Sequence, residues 1–487
     1  MASEWANSRR GLDLHLDFDP AGDGRRTGLE VALRTAIRDG RLAPGARLPA
    51  TRALADELGV ARGTVTAAYG QLVAEGYLSA RRGSGTVVAR VPSADRAPRE
   101  PLAPPPAAPR FRHDLSPGRP DVSAFPVQAW LNAARTVLPR VEPAAFALGD
   151  PRGRPELRAA LAEYLGRTRG VIADPDTIVV TSGYMQALGL VARVLHDQGC
   201  TRIAMENPCA PFHREVVRRA GLDVVPLPVD EIGAAGRVPA DVGAVVLTPA
   251  HQATLGVVLG PARRRALLDW AASTGGVLLE DDYDGELSYR QQVGALQGMA
   301  PEHVVYAGTA SKTLGPAVRL GWLVLPRRLV DAVAEAKFYA DAQTESIGQL
   351  VLAELIRRHD YDRHVRVQRL KYRRRRRELL YRLARDVPAV RVHGAAAGVQ
   401  VLLELPAGGP TETEVVDIAA RRGIRLVGLG RGWHGDRGSR LAGILVGYAT
   451  PADHAWSPTL DALIDVLRSA LTLDQVRWSK SPRTQPM

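Results

Sequence analysis

The residues with the most chemistry to offer lie in Ala307-Gly-Thr-Ala-Ser-Lys312-Thr-Leu-Gly-Pro-Ala-Val-Arg319-Leu-Gly-Trp322. One lysine, Lys312, stands among small residues, with hydroxyls at Thr309, Ser311 and Thr313 and a guanidinium at Arg319. A lysine amine condenses with an aldehyde to a Schiff base. Small neighbours let a ring approach the backbone. Hydroxyls and a guanidinium take phosphate oxygens. The set suits an aldehyde that carries a phosphate, although a plain loop with a solvated lysine has the same local composition. A second stretch, Gly276-Val-Leu-Leu-Glu280-Asp281-Asp282-Tyr283-Asp284, is an apolar run ending in carboxylates and a tyrosine. The run predicts a buried parallel strand, and ligands of open α/β sheets bind beyond the carboxyl ends of strands. A carboxylate there keeps a ring nitrogen protonated, which makes the ring a better electron sink. The Tyr283 hydroxyl can reach a ring oxygen. A solvated acidic turn is the alternative. A third stretch, Ile178-Val-Val-Thr-Ser-Gly183-Tyr184-Met185-Gln186, predicts strand, glycine turn and helix. The free N–H groups at Gly183, Tyr184 and Met185 offer a second phosphate contact.

Together these stretches resemble the fold-type-I pyridoxal-phosphate enzymes of the aminotransferase superfamily, over roughly residues 115–471. The resemblance implies that Lys312 is the Schiff-base lysine. It makes Asp281 the carboxylate at the pyridine nitrogen, Tyr283 the ligand of the phenolic oxygen, and Thr309, Ser311 and Arg319 phosphate ligands. Asp114-Leu-Ser-Pro-Gly-Arg-Pro-Asp121, Phe125-Pro126 and the turn Asp150-Pro-Arg-Gly153 match the same superfamily. Three places depart from it. Ala210 stands two residues past Pro208, where an aromatic usually stacks on the cofactor ring; Phe212 and His251 are the candidates to replace it. Thr248-Pro-Ala-His251-Gln252 replaces an Asn-Pro-x-Gly, and His251 reads equally as a pocket residue or a surface histidine. Leu445 aligns with the arginine that clamps a substrate carboxylate, leaving Arg431 or Arg440 as substitutes.

The elements that position this chemistry occupy most of a 487-residue chain, a length that suggests about three domains. The formal net charge is +12, and residues 25–91 hold eleven arginines against five acids, half of that excess. Such a local surplus is the footprint of a polyanion partner or a solvated basic face. Helical periodicity through Leu29, Leu33, Ala36 and Ile37 predicts a first helix ending near Gly40. A second begins at Thr51, a candidate N-cap. After the turn Gly59-Val60 a third follows, and then a hairpin with a basic, glycine-rich tip at Arg82-Gly83. Leu48-Pro-Ala-Thr-Arg52, Leu58-Gly-Val-Ala-Arg62, Glu75-Gly-Tyr-Leu78 and Gly83-Ser-Gly-Thr86 closely resemble GntR-type winged helix-turn-helix domains. By that resemblance Arg52 and Arg62 contact double-stranded DNA, and Arg62 and Thr64 open the recognition helix in the major groove. Thr51 and Thr66 neighbour phosphates, and Arg82 and Gly83 form a wing in the minor groove.

The expected organisation is an N-terminal segment (1–24), the winged helix-turn-helix (25–91), a Pro-rich tether (92–111), an α/β aminotransferase-like effector domain (112–472) and a polar tail (473–487). Residues 12–18 alternate as a short strand. The run Lys371-Tyr-Arg-Arg-Arg-Arg-Arg377 reads as the solvated face of a long helix in preference to a second DNA surface. Cys200 and Cys209 imply no disulfide framework. No apolar run reaches a membrane span and no signal-peptide core opens the sequence, so the expected location is the cytoplasm with no membrane contact. As a whole the chain resembles the MocR/GabR subfamily. The resemblance implies a head-to-tail homodimer that binds an operator and senses pyridoxal phosphate, another B6 vitamer, an amine or an amino acid through the Lys312 aldimine, without sustained turnover. An active aminotransferase with an accessory DNA-binding domain, and a cofactor-free scaffold, are the other readings.

Overall fold

The computed structural model describes residues 24–81, 85–90, 111–289, 293–435 and 441–479. The chain divides into two compact units, 1–108 and 109–487. In the first, helices α1 (Arg25–Arg38), α2 (Thr51–Leu58) and α3 (Arg62–Ala74) precede a hairpin of β1 (Leu78–Arg81) and β2 (Gly85–Val88). Leu29, Leu33, Leu54, Val65, Tyr69 and Leu72 are buried in one core with Leu78 and Val88, as helical spacing demands. Gly59 takes φ 64° and ends α2, leaving three residues before α3 begins. Arg47 bridges to Val87, so the wing gains a third chain segment. Arg34 on α1 donates a forked pair to Glu75 at 2.8–3.0 Å. One local expectation fails here. Thr51 is not an N-cap: it is the first residue of α2, Ala50 occupies the cap, and no side chain caps the helix. The wing residues Arg82 and Gly83, the expected strand at 12–18 and the Pro-rich stretch lie outside the described residues.

The second unit is built on an eight-stranded sheet. Its order is Ile178–Thr181, Gly321–Val324, Val304–Thr309, Val277–Asp282, Ala244–Leu247, Arg202–Asn207, Asp223–Asp230 and Gly233–Ala234. The interior pairs are parallel; Gly321–Val324 runs antiparallel to both its neighbours. Every residue of Val277–Asp282 and Val304–Thr309 is buried, which is why these strands read as continuous apolar runs. Helices including Tyr184–Asp197, Pro261–Thr274 and Arg327–Asp341 cover the sheet. A smaller antiparallel sheet (Arg391–His393, Val401–Glu404, Gly443–Val446, Val427–Gly428) packs its own core against Trp456–Ser479. The lead-in strand His113–Asp114 pairs with Ile424–Arg425 of that smaller lobe.

Two further expectations change. The helix Trp456–Ser479 continues past Leu473, where a polar tail was expected to begin. The basic tract is not simply a solvated face. Asp360–Asp386 is one 27-residue helix, and its 3.6-residue period turns Gln368, Tyr372, Arg375 and Leu379 inward. Arg375 is fully buried and donates to the carbonyls of Ala449 and Pro451 and to Asp453. Lys371 pairs with the buried Asp121 at 2.8 Å. These cations join the helix to the lead-in segment and the smaller lobe.

Just past the strand Val277–Asp282, the Glu286 carboxylate accepts from Tyr164 (2.6 Å) and Tyr361 (3.1 Å). Burial pushes its pKa up to about 7, against the pull of the Tyr164 hydrogen bond. A carboxyl whose folded pKa exceeds its unfolded value favours the fold when protonated, and that contribution fades as pH rises from the unfolded to the folded pKa. Glu286→Gln should therefore gain on the wild type from about pH 4.5 and level off above about pH 7. The gain should not exceed about 3 kcal/mol. Denaturant titrations of both proteins at several pH values measure it, and a pH-independent difference refutes it.

Candidate functional site

The three acids that end Val277–Asp282 do not share one environment. Glu280 accepts the N–H groups of Leu296 and Gln297, each at 3.0 Å. Asp282 holds Arg169 at 2.6 and 3.1 Å and accepts from Tyr306 at 2.7 Å. Both are locked into the scaffold. Asp281 is 4% exposed, yet its Oδ1 has no hydrogen-bond partner among the described residues. Burial raises its pKa well above the ordinary carboxylate value, opposed by the charge on Lys312. Burial excludes the solvated-turn alternative, and the missing partner singles out Asp281 as the acid left to meet a ligand.

Lys312 stands three residues beyond the strand Val304–Thr309, in a turn closed by Leu314 N–H to Ala310 and Ala310 N–H to Leu320. Its Nζ donates to the Gly118 carbonyl at 2.6 Å and lies 5.8 Å from the centre of the Tyr283 ring. Register pairing places Ala307 beside Asp281, so the lysine turn and the unpaired carboxylate leave the same end of the sheet. Burial lowers the Lys312 pKa, Asp281 and Asp284 oppose this, and Arg119 adds to it. A lowered amine pKa leaves more of the neutral nucleophile at neutral pH.

At the other end of the site, Gly183 adopts φ 98° and opens the helix Tyr184–Asp197. A Cβ there would lie 3.1 Å from Arg319 Nη1, so the guanidinium sits directly over this turn. Arg319 itself is held at φ 56°, a costly region for a residue with a Cβ. Thr309 is paired with Gly321, whose own missing Cβ leaves the backbone close to Gly183. Thr309 Oγ1 donates to Ser311 Oγ at 2.9 Å. Two hydroxyls, a guanidinium and the first N–H groups of a helix, at Tyr184 and Met185, are an anion cradle. With Lys312 and the unpartnered Asp281, the donor set fits a phosphorylated pyridine aldehyde.

Tyr283 carries its hydroxyl 3.0 Å from His251 Nδ1, which is also 2.9 Å from Asp284 Oδ2. His251 is 3% exposed, so the surface alternative for this histidine is excluded. Phe212 is 56% exposed and does not pack into the site. The residue that sequence reasoning missed is His213. It meets Tyr184 edge to face at 4.9 Å, and burial together with the Lys312 charge pushes its pKa down to about 3, so its imidazole is neutral. Its spacing with Val216 and Val217 on one face of Pro211–Arg219 was the available signal. Leu445 lies inside the strand Gly443–Val446 between Leu402 and Val427, and Arg431 is exposed in the turn Leu429–Gly432. Arg440 lies outside the described residues. In the first unit Arg52, Arg62 and Thr66 are exposed and Thr51 and Thr64 half-buried, at the starts of α2 and α3.

Adding a methyl group at Gly183 combines a disfavoured positive φ with a clash against Arg319. Gly183→Ala should weaken pyridoxal phosphate binding at least tenfold, measured by equilibrium dialysis. Retained affinity would show that the cradle lies elsewhere.

Residues 114–425 match the family of class I and II aminotransferases, and residues 26–88 match the gntR family of bacterial regulatory proteins. The pyridoxine biosynthesis regulator PdxR of Corynebacterium glutamicum is 31% identical over 432 residues, 87% of this chain and 92% of the relative. The probable rhizopine catabolism regulatory protein MocR of Rhizobium meliloti is 34% identical over 363 residues, 70% and 73% of the two chains. Among solved structures, an archaeal alanine:glyoxylate aminotransferase superposes with a TM-score of 0.67 at 24% identity, covering 74% of this chain and 92% of its own. The chain belongs to the MocR-type family of helix-turn-helix transcriptional regulators, in which a gntR-family DNA-binding domain is joined to a class I and II aminotransferase domain.

Proposed function

We propose that this regulator reads an operator with its first unit and binds pyridoxal phosphate in its second, so that occupancy of Lys312 by an effector alters the DNA-bound state. The observation that carries the reading is the unpaired, buried Asp281 set beside Lys312 in a chain that also presents Arg62 at the start of α3. In this reading the reader spans residues 25–91 and the sensor 112–472. Thr51, Arg52, Arg62, Thr64 and Thr66 contact duplex DNA, with Arg82 and Gly83 at the wing.

In the sensor, Lys312 Nζ would hold the aldehyde carbon, Asp281 the pyridine nitrogen, and Tyr283 the phenolic oxygen. Thr309, Ser311, Arg319 and the backbone of Gly183, Tyr184 and Met185 would hold the phosphate. When bound, the cofactor supplies an electrophilic carbon to which amines add reversibly. The chain's own part is to keep Asp281 desolvated, to keep His213 uncharged against Tyr184, and to fix the Tyr283 hydroxyl through His251 and Asp284. Ala210 and Leu445 lack the groups that would stack on the ring and clamp a carboxylate. Binding therefore keeps its machinery while substrate alignment loses part of its own. The effector is an amine, an amino acid or a B6 vitamer; the similarity to a pyridoxine biosynthesis regulator supports the vitamer. Exposed Val127 and Leu131, one turn apart on one helix, and exposed Phe146 and Leu148 support a homodimer, which the family resemblance makes head-to-tail.

Purified protein with pyridoxal phosphate should show a visible absorbance band that Lys312→Ala abolishes. The same substitution should remove any effector dependence of binding to a duplex from its own promoter. Arg62→Ala should weaken that binding by about 1–3 kcal/mol while leaving the band intact. Protein that stays colourless with added cofactor defeats the sensor half of the reading; a promoter duplex bound equally by wild type and Arg62→Ala defeats the reader half.

A further inference from the structure

Lys312 Nζ rests on the carbonyl of Gly118, and a Cβ built on Gly118 would lie 3.6 Å from that Nζ and 3.7 Å from Gln400 Oε1. The lysine nitrogen, the backbone carbonyl and the amide oxygen therefore surround one small space. Gln400, immediately before the strand Val401–Glu404, is 9% exposed. Its Nε2 donates to the Ala253 carbonyl, which fixes the amide orientation, because the reverse would set two oxygens against each other. Its Oε1 has no partner among the described residues. A buried acceptor held in place with nothing donating to it is poised for a ligand donor.

Arg119 follows directly. Its side chain is exposed and lies 3.5 Å from Oδ2 of Asp114. Its positive field reaches Lys312. Residues 115–119 are tied to the turn after Gly443–Val446. Gly447 N–H donates to Leu115 (2.9 Å), and Thr450 Oγ1 lies 2.7 Å from the Ser116 carbonyl and 3.2 Å from that of Arg119. That turn follows the strand carrying Leu445, so the fold brings a guanidinium from the lead-in segment to the neighbourhood where the arginine clamp is missing.

We propose that Gln400 and Arg119 form the recognition subsite for the effector: Gln400 Oε1 accepts a hydrogen bond from a hydroxyl or ammonium group, and Arg119 takes an anionic group. The effector is then a small amine that carries an anion and a further donor. This rests on Lys312 being the site of effector exchange.

The test uses full-length protein loaded with pyridoxal phosphate and follows the visible band during amine titration. β-Alanine and propylamine differ by the carboxylate; 3-amino-2-hydroxypropanoate and β-alanine differ by a hydroxyl donor. In the wild type β-alanine should act at least tenfold below propylamine, and the hydroxylated compound lower still. Arg119→Gln should erase the first ratio, with Arg119→Lys restoring part of it. Gln400→Leu should erase the second ratio alone. An intact band that answers to none of the amines overturns both the subsite and the exchange role of Lys312. Amine responses whose ratios are the same in wild type and both variants overturn the subsite alone.

Discussion

Three adjacent acids at the buried end of one strand pose an electrostatic problem, and the larger domain is arranged around its solution. Leaving carboxylates in a low-dielectric interior is expensive unless each is hydrogen-bonded, paired or protonated. Glu280 takes two backbone N–H groups, and Asp282 takes the fully buried Arg169 and the Tyr306 phenol. Asp281 alone has no such partner on Oδ1, and the residue beside it is the half-buried Tyr184. The shortfall clusters in the site, where Tyr184, His251 and Asp284 also keep a buried polar atom without a partner among the described residues. A folded chain that satisfies two of three neighbours and leaves the middle one open holds a site that a ligand with a proton to offer would complete.

The same balance shapes the lysine. Burial favours the neutral amine, Asp281 and Asp284 favour the ammonium, and Arg119 opposes them. A ligand that brought a positive ring nitrogen to Asp281 would partly remove the attraction that keeps Lys312 charged. Binding at one end of the site would thereby ease the release of a proton at the other, with no movement of the backbone.

What could be read from the chain alone follows the physics of each element. The strand Val277–Asp282 is legible because a parallel strand buried on both faces must be apolar throughout. Lys312, Asp281 and Gly183 could be picked out because their chemistry is tied to strand ends and a glycine turn. The inward half of the basic tract could not. Five consecutive arginines look solvated in one dimension, and only the helix phase and the carbonyls of Ala449 and Pro451 show that Arg375 is a buried fastening. Gln400 was illegible for a related reason: its importance lies in an acceptor that bonds nothing, which leaves no periodic trace, whereas the spacing of His213 with Val216 and Val217 places its face but not its neighbour Tyr184.

Two of the three departures from the aminotransferase pattern, at Ala210 and Leu445, fall on one side of a functional line. Those residues that would retain a cofactor are all present: an amine, a carboxylate for the ring nitrogen, and an anion cradle under Arg319. The resemblance sets Ala210 where a stacking aromatic would stand and Leu445 where a carboxylate clamp would, so the replaced positions are those that would align a substrate. Catalysis depends on alignment far more steeply than binding does, since a small error in placement costs orders of magnitude in rate but little in affinity. A domain can thus give up most of its turnover while keeping a reversible, amine-selective bond, provided that the bond energy is put to another use. Joined in one chain to a gntR-family reader, such a bond has an output that does not require product, because a change in occupancy suffices. In a site that senses without turning over, nothing requires the clamp to stay on Gly443–Val446, and a cation on the lead-in segment can take over recognition.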